Sequence, residues 1–250
     1  MSICLSVVSH GNDALVDKLL TELDGAPSLS KVVVTYNMGP NNPSYINKRF
    51  SFDLKILCND QPMGYGANNN NAFLLCEEKW FCVVNPDISF SREALSEMIR
   101  DRDENAVGVL APKLVSPAGQ YEVNKRRFPT PEALFRRLVF RSNYYASKGG
   151  KSIFPQSFFW ISGAFMLFSA NSFRSIGGFD EKYFMYFEDV DICLRLLLAG
   201  HSLEIVENVV VTHEGQRASH RNFRHFRWHV SSMLKFFYKF RRYYFKRNRV

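Results

Sequence analysis

Over residues 1–110, short β-branched and apolar runs alternate with segments whose apolar positions recur at helical spacing. That rhythm leaves few folds open. Ile3–Ser9 is a strand-like run, and Asp13–Leu23 follows with Leu15, Val16, Leu19, Leu20 and Leu23 on one helical face. Lys31–Tyr36 and Phe52–Leu57 read as the second and third strands. The pattern then predicts a helix over Asn68–Lys79, a strand over Trp80–Val84, a helix over Ser91–Asp101 with Ser91 as its N-cap, and a strand over Ala106–Leu110. Strands alternating with helices of this length build an α/β fold, an open and mostly parallel sheet with helices on both faces. Ligands of such sheets bind outside the carboxyl ends of the strands, where His10, Asn59 and Asp87 fall.

Beyond residue 115 the pattern loosens. Ser116–Gln156 carries Pro117, Pro129, Pro131, Gly149, Gly150 and Pro155 with the basic clusters Lys125-Arg126-Arg127 and Arg136-Arg137, and reads as loop around one helix, Glu132–Phe140. A helix over Glu188–Ala199 ends at Gly200, and Val209–Thr212 is a last strand. The longest apolar stretch, Phe158–Ala170, is broken at Ser162 and Gly163 and falls short of the ~20 residues of a spanning helix. The N-terminus has no basic n-region or long apolar core of a signal peptide. The five cysteines lack any C-x-x-C pair and read as buried thiols in a reducing compartment. A cytoplasmic protein without a transmembrane segment is expected, and 46% hydrophobic residues exclude disorder.

The net charge of +8 is a property of the tail. Residues 217–250 hold eleven Lys/Arg and no acid, which leaves residues 1–216 at −3. The division expected is a domain over 1–216 and a basic amphipathic extension over 217–250. In the extension Phe223, Phe226, Val230, Met233, Leu234 and Phe237 form a helical stripe. Such a helix either lies in an anionic membrane interface or packs its stripe on the domain. With no recognised nucleic-acid-binding motif, nucleic acid is not an expected partner.

Four segments carry candidate chemistry. Asn85-Pro86-Asp87 ends an apolar strand and leaves Asp87 at its carboxyl end, either as an ordinary Asx/Pro turn or as a ligand to a divalent cation that also takes diphosphate oxygens. Gly64-Tyr65-Gly66-Ala67 runs into Asn68–Asn71, poor helix formers at a glycine-rich helix start; this is either a polar cap or a place where a ligand approaches the backbone. Glu188-Asp189-Val190-Asp191 opens a helix after Phe184-Met185-Tyr186-Phe187. The leucine stripe of that helix leaves Asp189 and Asp191 free to face a cleft, and apolar surroundings can give a carboxylate the basicity of a general base. His213 stands at a strand end, structural alone but a metal ligand if Asp87 is near.

In this order, Ser9-His10-Gly11-Asn12, Asn59, Gly64–Asn68, Asn85-Pro86-Asp87, Gly177-Gly178-Phe179-Asp180 through Asp191 and Arg195, and His213, the chain resembles the family 2 glycosyltransferases of GT-A fold. Among them it is most similar to bacterial rhamnosyltransferases that build O-antigen and related cell-surface polysaccharides. The resemblance implies an inverting, metal-dependent transfer of a sugar, L-rhamnose from dTDP-L-rhamnose, onto a lipid-diphosphate-linked saccharide at the inner face of the bacterial inner membrane. It implies Mg²⁺ or Mn²⁺ held by Asp87 and His213, and Asp189 as general base. Ser9, His10, Asn12 and Asn59 would surround the nucleoside, and Gly66, Asn68, Asn69 and Asn85 the rest of the donor. Trp160, Glu188, Asp191 and Arg195 would stand on the acceptor side or in support. Asn85 occupies the place where many relatives carry the first Asp of an Asp-x-Asp motif. Open alternatives are a galactofuranosyl, galactosyl or N-acetylhexosaminyl transferase, or a non-catalytic subunit of a membrane assembly.

Overall fold

The first strand-like run, Ile3–Ser9, is β1 and lies inside the sheet, paired in parallel with β2 (Leu29–Tyr36) and with β4 (Trp80–Val84). The computed structural model describes residues 2–39, 45, 48–132, 154, 155, 157–215 and 223–245. β3 (Asp53–Cys58) extends the sheet in parallel beyond β2. On the other side β10 (Phe165–Ser169) runs antiparallel between β4 and β6 (Val107–Val115). β11 (Ser202–His213) is parallel to β6, and β5 (Ile88–Ser89) pairs antiparallel with β11 at the edge. The order is β3-β2-β1-β4-β10-β6-β11-β5, with β7 (Tyr121–Glu122) attached to β6. A separate ribbon joins β8 (Lys125–Arg126) to β9 (Trp160–Ile161).

Alternation along β1 divides the core between two faces. Ile3, Leu5 and Val7 pack with Val16, Leu19 and Leu20 of α1 (Asp13–Leu23) and with Leu95, Met98 and Ile99 of α3 (Ala94–Ile99). Cys4 joins the opposite cluster, under α2 (Tyr65–Phe73), α4 (Ala170–Ser175) and α5 (Glu188–Leu198). Phe81, Phe168, Phe173 and Phe179 interlock there with ring centroids 5.0–5.8 Å apart. Cys4, Cys76, Cys82 and Cys193 are buried as expected; Cys58 is exposed.

Two helices differ from the sequence reading. The helix expected over Asn68–Lys79 is Tyr65–Phe73. It cannot run to Lys79, because β4 begins at Trp80 and the chain must first reverse through the tight bonds Leu75 N–H to Ala72 O and Cys76 N–H to Phe73 O. The helix expected to start at Ser91 starts at Ala94, and Ser91 instead closes a turn by accepting the Ala94 N–H on its carbonyl. β6 and β11 are longer than the sequence pattern suggests, since each gains its ladder from the other. The helix expected over Glu132–Phe140, with Arg136 and Arg137, lies outside the described residues except for Glu132. Arg217, Arg221, Lys246, Arg247 and Arg249 of the basic extension lie outside them too.

The C-terminal segment forms α6 (Phe223–Lys239) and the short α7 (Arg241–Phe245). α6 packs on the domain through Ser232 and Phe236, with Phe240 just beyond it. This face is offset from the expected stripe: Met233 and Phe237 pack against the core, whereas Phe223, Phe226 and Leu234 stay exposed. No helix among the described residues is long and apolar enough to cross a membrane.

Candidate active site

Strand ends and one helix start meet at the carboxyl edge of β4. Pro86 has no N–H to continue a ladder, so Asn85-Pro86-Asp87 turns outward. The chain then pairs back through β5, with Ile88 opposite His213 and Ser89 opposite Thr212. Asp87 Oδ2 thereby comes within 3.5 Å of His213 Nε2. The other ring nitrogen, Nδ1, lies 2.8 Å from Glu122 Oε2 on β7. Hydrogen bonding to Asp87, and then to Glu122, pushes His213 up to about 9. With Nδ1 engaged by Glu122, Nε2 is directed at Asp87, the way a carboxylate orients a metal-binding imidazole. One carboxylate oxygen and one imidazole nitrogen, in surroundings negative enough to attract a proton, suit a divalent cation completed by oxygens of a bound anion. Nothing in the sequence singles out Glu122. It stands in an aperiodic loop, and only the pairing of Leu114 with Glu122 brings it here.

The acids at the start of α5 go to different places. Asp189 is partly buried: its Oδ2 accepts the Gly163 N–H at 3.1 Å and its Oδ1 the Val190 N–H at 2.9 Å. Burial raises its carboxyl above the usual range, opposed by those N–H groups and by the charge of Arg126. The Gly163 carbonyl lies 2.9 Å from the Tyr65 hydroxyl, which is also 3.0 Å from Asn85 Oδ1. The Asn85 N–H donates to Ala164 O at 2.9 Å. Through Gly163, Tyr65 and Asn85, the Asp189 carboxyl is therefore tied to the turn that carries Asp87. Tyr65 is equally unmarked in the sequence, where it is one aromatic residue between two glycines.

Glu188 is buried beside Asp189, and its Oε2 has no hydrogen-bond partner. Burial, and then the charge of Asp189, raises it to about 8. Asp191 does not face a cleft, contrary to the expectation. It is fully buried and paired with Arg195 Nε and Lys239 Nζ, each at 2.6 Å, with the Tyr183 hydroxyl at 3.2 Å. A carboxylate taken out of water needs such partners, which fixes Asp191 as a structural anchor. Arg195 also donates to the carbonyls of Ile176 and Gly178, at 2.7 and 2.6 Å, so it binds α5 to the preceding turn rather than facing the site.

The turn into α5 is strained. Tyr186 and Phe187 both have left-handed φ, 68° and 69°, which bulky residues adopt only when their surroundings compel it. Here α6 supplies the compulsion. The Tyr186 hydroxyl lies 2.9 Å from His225 Nδ1, the His229 ring packs on both Tyr186 and Phe187, and Ser232 Oγ donates to Met185 O at 2.9 Å.

The nucleoside-side expectations fall along the adjoining strand ends. Asn59 Nδ2 donates to Asn37 Oδ1 and to Asn68 Oδ1, at 2.9 and 2.7 Å, and His10 Nδ1 lies 3.4 Å from Asn37 Nδ2. His10 is exposed, whereas Ser9 is buried with Oγ 3.1 Å from Asp13 Oδ1 and accepting the Asn12 N–H. Asn68 and Asn69 are fully buried, and Asn69 holds Ser6 and the Tyr65 carbonyl. A Cβ at Gly66 would lie 2.8 Å from Phe179 Cβ, and one at Gly64 would lie 2.9 Å from the Phe184 backbone. These glycines let the chain's own 179–184 segment approach closely. Trp160 is half-buried on β9, its indole N–H donating to Arg127 O at 2.9 Å.

This arrangement has relatives. Residues 139–229 match the family described as N-terminal domain of galactosyltransferase. The chain is 28% identical to rhamnosyltransferase WbbL of Escherichia coli, over 92% of this chain and 90% of that one. It is 25% identical to the N-acetylglucosaminyl-diphospho-decaprenol L-rhamnosyltransferase of Mycobacterium tuberculosis, over 68% of this chain and 62% of that protein. The fold matches the mannosyltransferase PcManGT of Pyrobaculum calidifontis, solved with GDP-Man and Mn²⁺, at TM-score 0.62 and 14% identity over 96% of this chain. It matches S. aureus TarS 1-349, solved with UDP-GlcNAc, at TM-score 0.61 and 17% identity over 88% of this chain. The chain is a glycosyltransferase of GT-A fold. It spans 64% and 60% of those two solved chains. Within this glycosyltransferase, the Asp87–His213 pair and Asp189 lie at the strand ends where open α/β sheets take their ligands.

Proposed function

We propose that the protein transfers L-rhamnose from dTDP-L-rhamnose onto a lipid-diphosphate-linked saccharide, with inversion at the anomeric carbon and dependence on a divalent cation. The observation that carries this reading is the link from Asp189 through Gly163, Tyr65 and Asn85 to the turn bearing Asp87, itself 3.5 Å from His213. The two rhamnosyltransferase relatives support the choice of sugar, and the name of the mycobacterial one supports the lipid-diphosphate acceptor.

Asp87 and His213 would hold Mg²⁺ or Mn²⁺, and Glu122 would keep the imidazole turned toward it. Bound there, the cation supplies positive charge that offsets the charge gathering on the departing diphosphate. Asp189 accepts the proton of the acceptor hydroxyl as that oxygen bonds to the anomeric carbon and the bond to the diphosphate breaks on the opposite face. A partly buried carboxylate, its basicity raised by burial and its charge supported by two N–H donors, suits that step. Asn85 adds no charge, and its amide oxygen serves to hold Tyr65.

The exposed face of α6 presents Phe223, Phe226, Leu234 and Tyr238 among Arg224, Arg227 and Lys235. That mixture supports peripheral attachment to an anionic leaflet on the cytoplasmic side, where a lipid-linked acceptor is met.

A panel of nucleotide sugars, each with and without Mn²⁺, is scored for thermal stabilisation and then for transfer to an N-acetylglucosaminyl-diphospho-lipid. Metal-dependent stabilisation by dTDP-L-rhamnose is expected. Asp189→Asn keeps that stabilisation and loses at least about a hundredfold in turnover. Wild-type turnover in the Asp189 variant refutes the base, and stabilisation by a different nucleotide sugar alone refutes the donor.

A further inference from the structure

β8 and β9 form a ribbon that leads into Gly163, whose N–H is bonded to the Asp189 carboxyl. Arg126 lies opposite Trp160 in that ribbon. Lys125, Arg126 and Arg127 are all exposed, yet among the described residues none forms an ion pair with a carboxylate. Three consecutive cations in a domain whose first 216 residues carry a net charge of −3 have acids available elsewhere and do not use them. Two of them are braced by rings instead. Lys125 Nζ sits 4.2 Å from the centroid of Phe159, and Arg126 Cζ 5.5 Å from that of Trp160. The Trp160 indole N–H fixes the Arg127 carbonyl. Arg126 Nε donates to the Val123 carbonyl at 3.1 Å, and a guanidinium packed on an aromatic face can still offer its terminal N–H groups to phosphate oxygens. The charge of Arg126 also reaches Asp189, where it favours the ionised carboxylate.

The geometry points to a subsite in which Arg126, braced on Trp160, grips the diphosphate of the acceptor. The enzyme would then recognise a sugar through the anionic group that tethers it, and place the sugar's hydroxyl at Asp189. This rests on the proposed function, since it requires that Asp189 face the acceptor. It differs from the Asp87–His213 site, which addresses the donor's diphosphate.

The test uses two synthetic acceptors with the same N-acetylglucosamine and the same undecyl chain, one joined through a diphosphate and one through an ether oxygen. Binding of each to the full chain is measured by calorimetry without donor, for wild type, Arg126→Gln and Arg126→Lys. Wild type should bind the diphosphate glycoside at least about tenfold more tightly than the ether, as charge-assisted contacts to two phosphates would give. Arg126→Gln should remove most of that preference, Arg126→Lys should keep part of it, and neither should change metal-dependent binding of the nucleotide sugar. A preference unchanged in Arg126→Gln overturns the inference, as does a wild type that treats the two glycosides alike. A loss of nucleotide-sugar affinity in step with acceptor affinity also overturns it, by assigning Arg126 to the donor. Nucleotide-sugar binding in the same wild-type preparation separates these failures from failure of the function itself, which would abolish that binding too.

Discussion

Replacing Glu188 with glutamine should make the protein more stable, and increasingly so as pH rises. Glu188 is 7% exposed, its Oε2 has no partner, and it stands next to Asp189. Its carboxyl moves from an ordinary 4.5 up to about 8, chiefly through burial. The folded state therefore keeps the proton over a range in which the unfolded chain releases it. A folded pKa above the unfolded one contributes stability that is fully present below the unfolded value and disappears as pH rises through the folded value. At about 1.4 kcal/mol for each unit, wild type should lose on the order of 3 kcal/mol through this group between about pH 5.5 and pH 7.5. Glutamine is nearly isosteric with the protonated acid and does not titrate. Urea midpoints of wild type and Glu188→Gln, collected across that range at fixed ionic strength, should diverge steadily and stop diverging above about pH 8. Parallel curves would show that Glu188 is ionised in the folded protein, and the picture of a neutral acid beside Asp189 would fall with them.

His213 leads to a prediction of opposite use. Its imidazolium, sustained up to about 9 by Asp87 and Glu122, must give up its proton before Nε2 can take a cation, so apparent Mn²⁺ affinity in the presence of dTDP should climb by up to about tenfold per pH unit below that value. An affinity insensitive to pH would remove His213 from the metal site. Phe236→Ala should cost about 3–5 kcal/mol in the main unfolding transition, because Phe236 is fully buried in the same cluster as Phe187 and Leu194. An unchanged transition in urea would mean that α6 is a dispensable appendage. Gly66→Ala would place a methyl 2.8 Å from Phe179 Cβ and should cost about 1–3 kcal/mol of stability, read by the same denaturation, with wild-type stability as the refuting result.

What the sequence makes legible follows from where each residue's partners lie. β1, β4 and α1 match their predicted bounds because their partners are provided by pattern alone: β-branched runs buried on both faces, and a helix with one apolar stripe. The four asparagines of α2 are decided by contacts that no local pattern holds. Their poor helix propensity leaves a polar cap and a ligand site equally open, and in the structure Asn68 is held by Asn59, Asn69 by Ser6, and Asn70 by the Phe179 backbone on both its N–H and its carbonyl. Tertiary hydrogen bonds of this kind outweigh a few tenths of a kcal/mol of propensity per residue, and no local window contains them. The same holds at the site. Asp87, Asp189 and His213 announce themselves by standing at strand and helix ends, but the residues that set their chemistry come from remote loops through pairings of two residues: Glu122 through β7, Arg126 through β8, Gly163 through the end of β9. Asp191 shows the limit most clearly. Its spacing from Asp189 is equally compatible with a cleft or a core, and one of the three partners that hold it in the core is Lys239, a residue of the tail that charge alone sets apart from the domain. The division at residue 216 follows charge, whereas the packing follows the apolar face of α6 and one lysine that leaves the basic side to neutralise a buried acid.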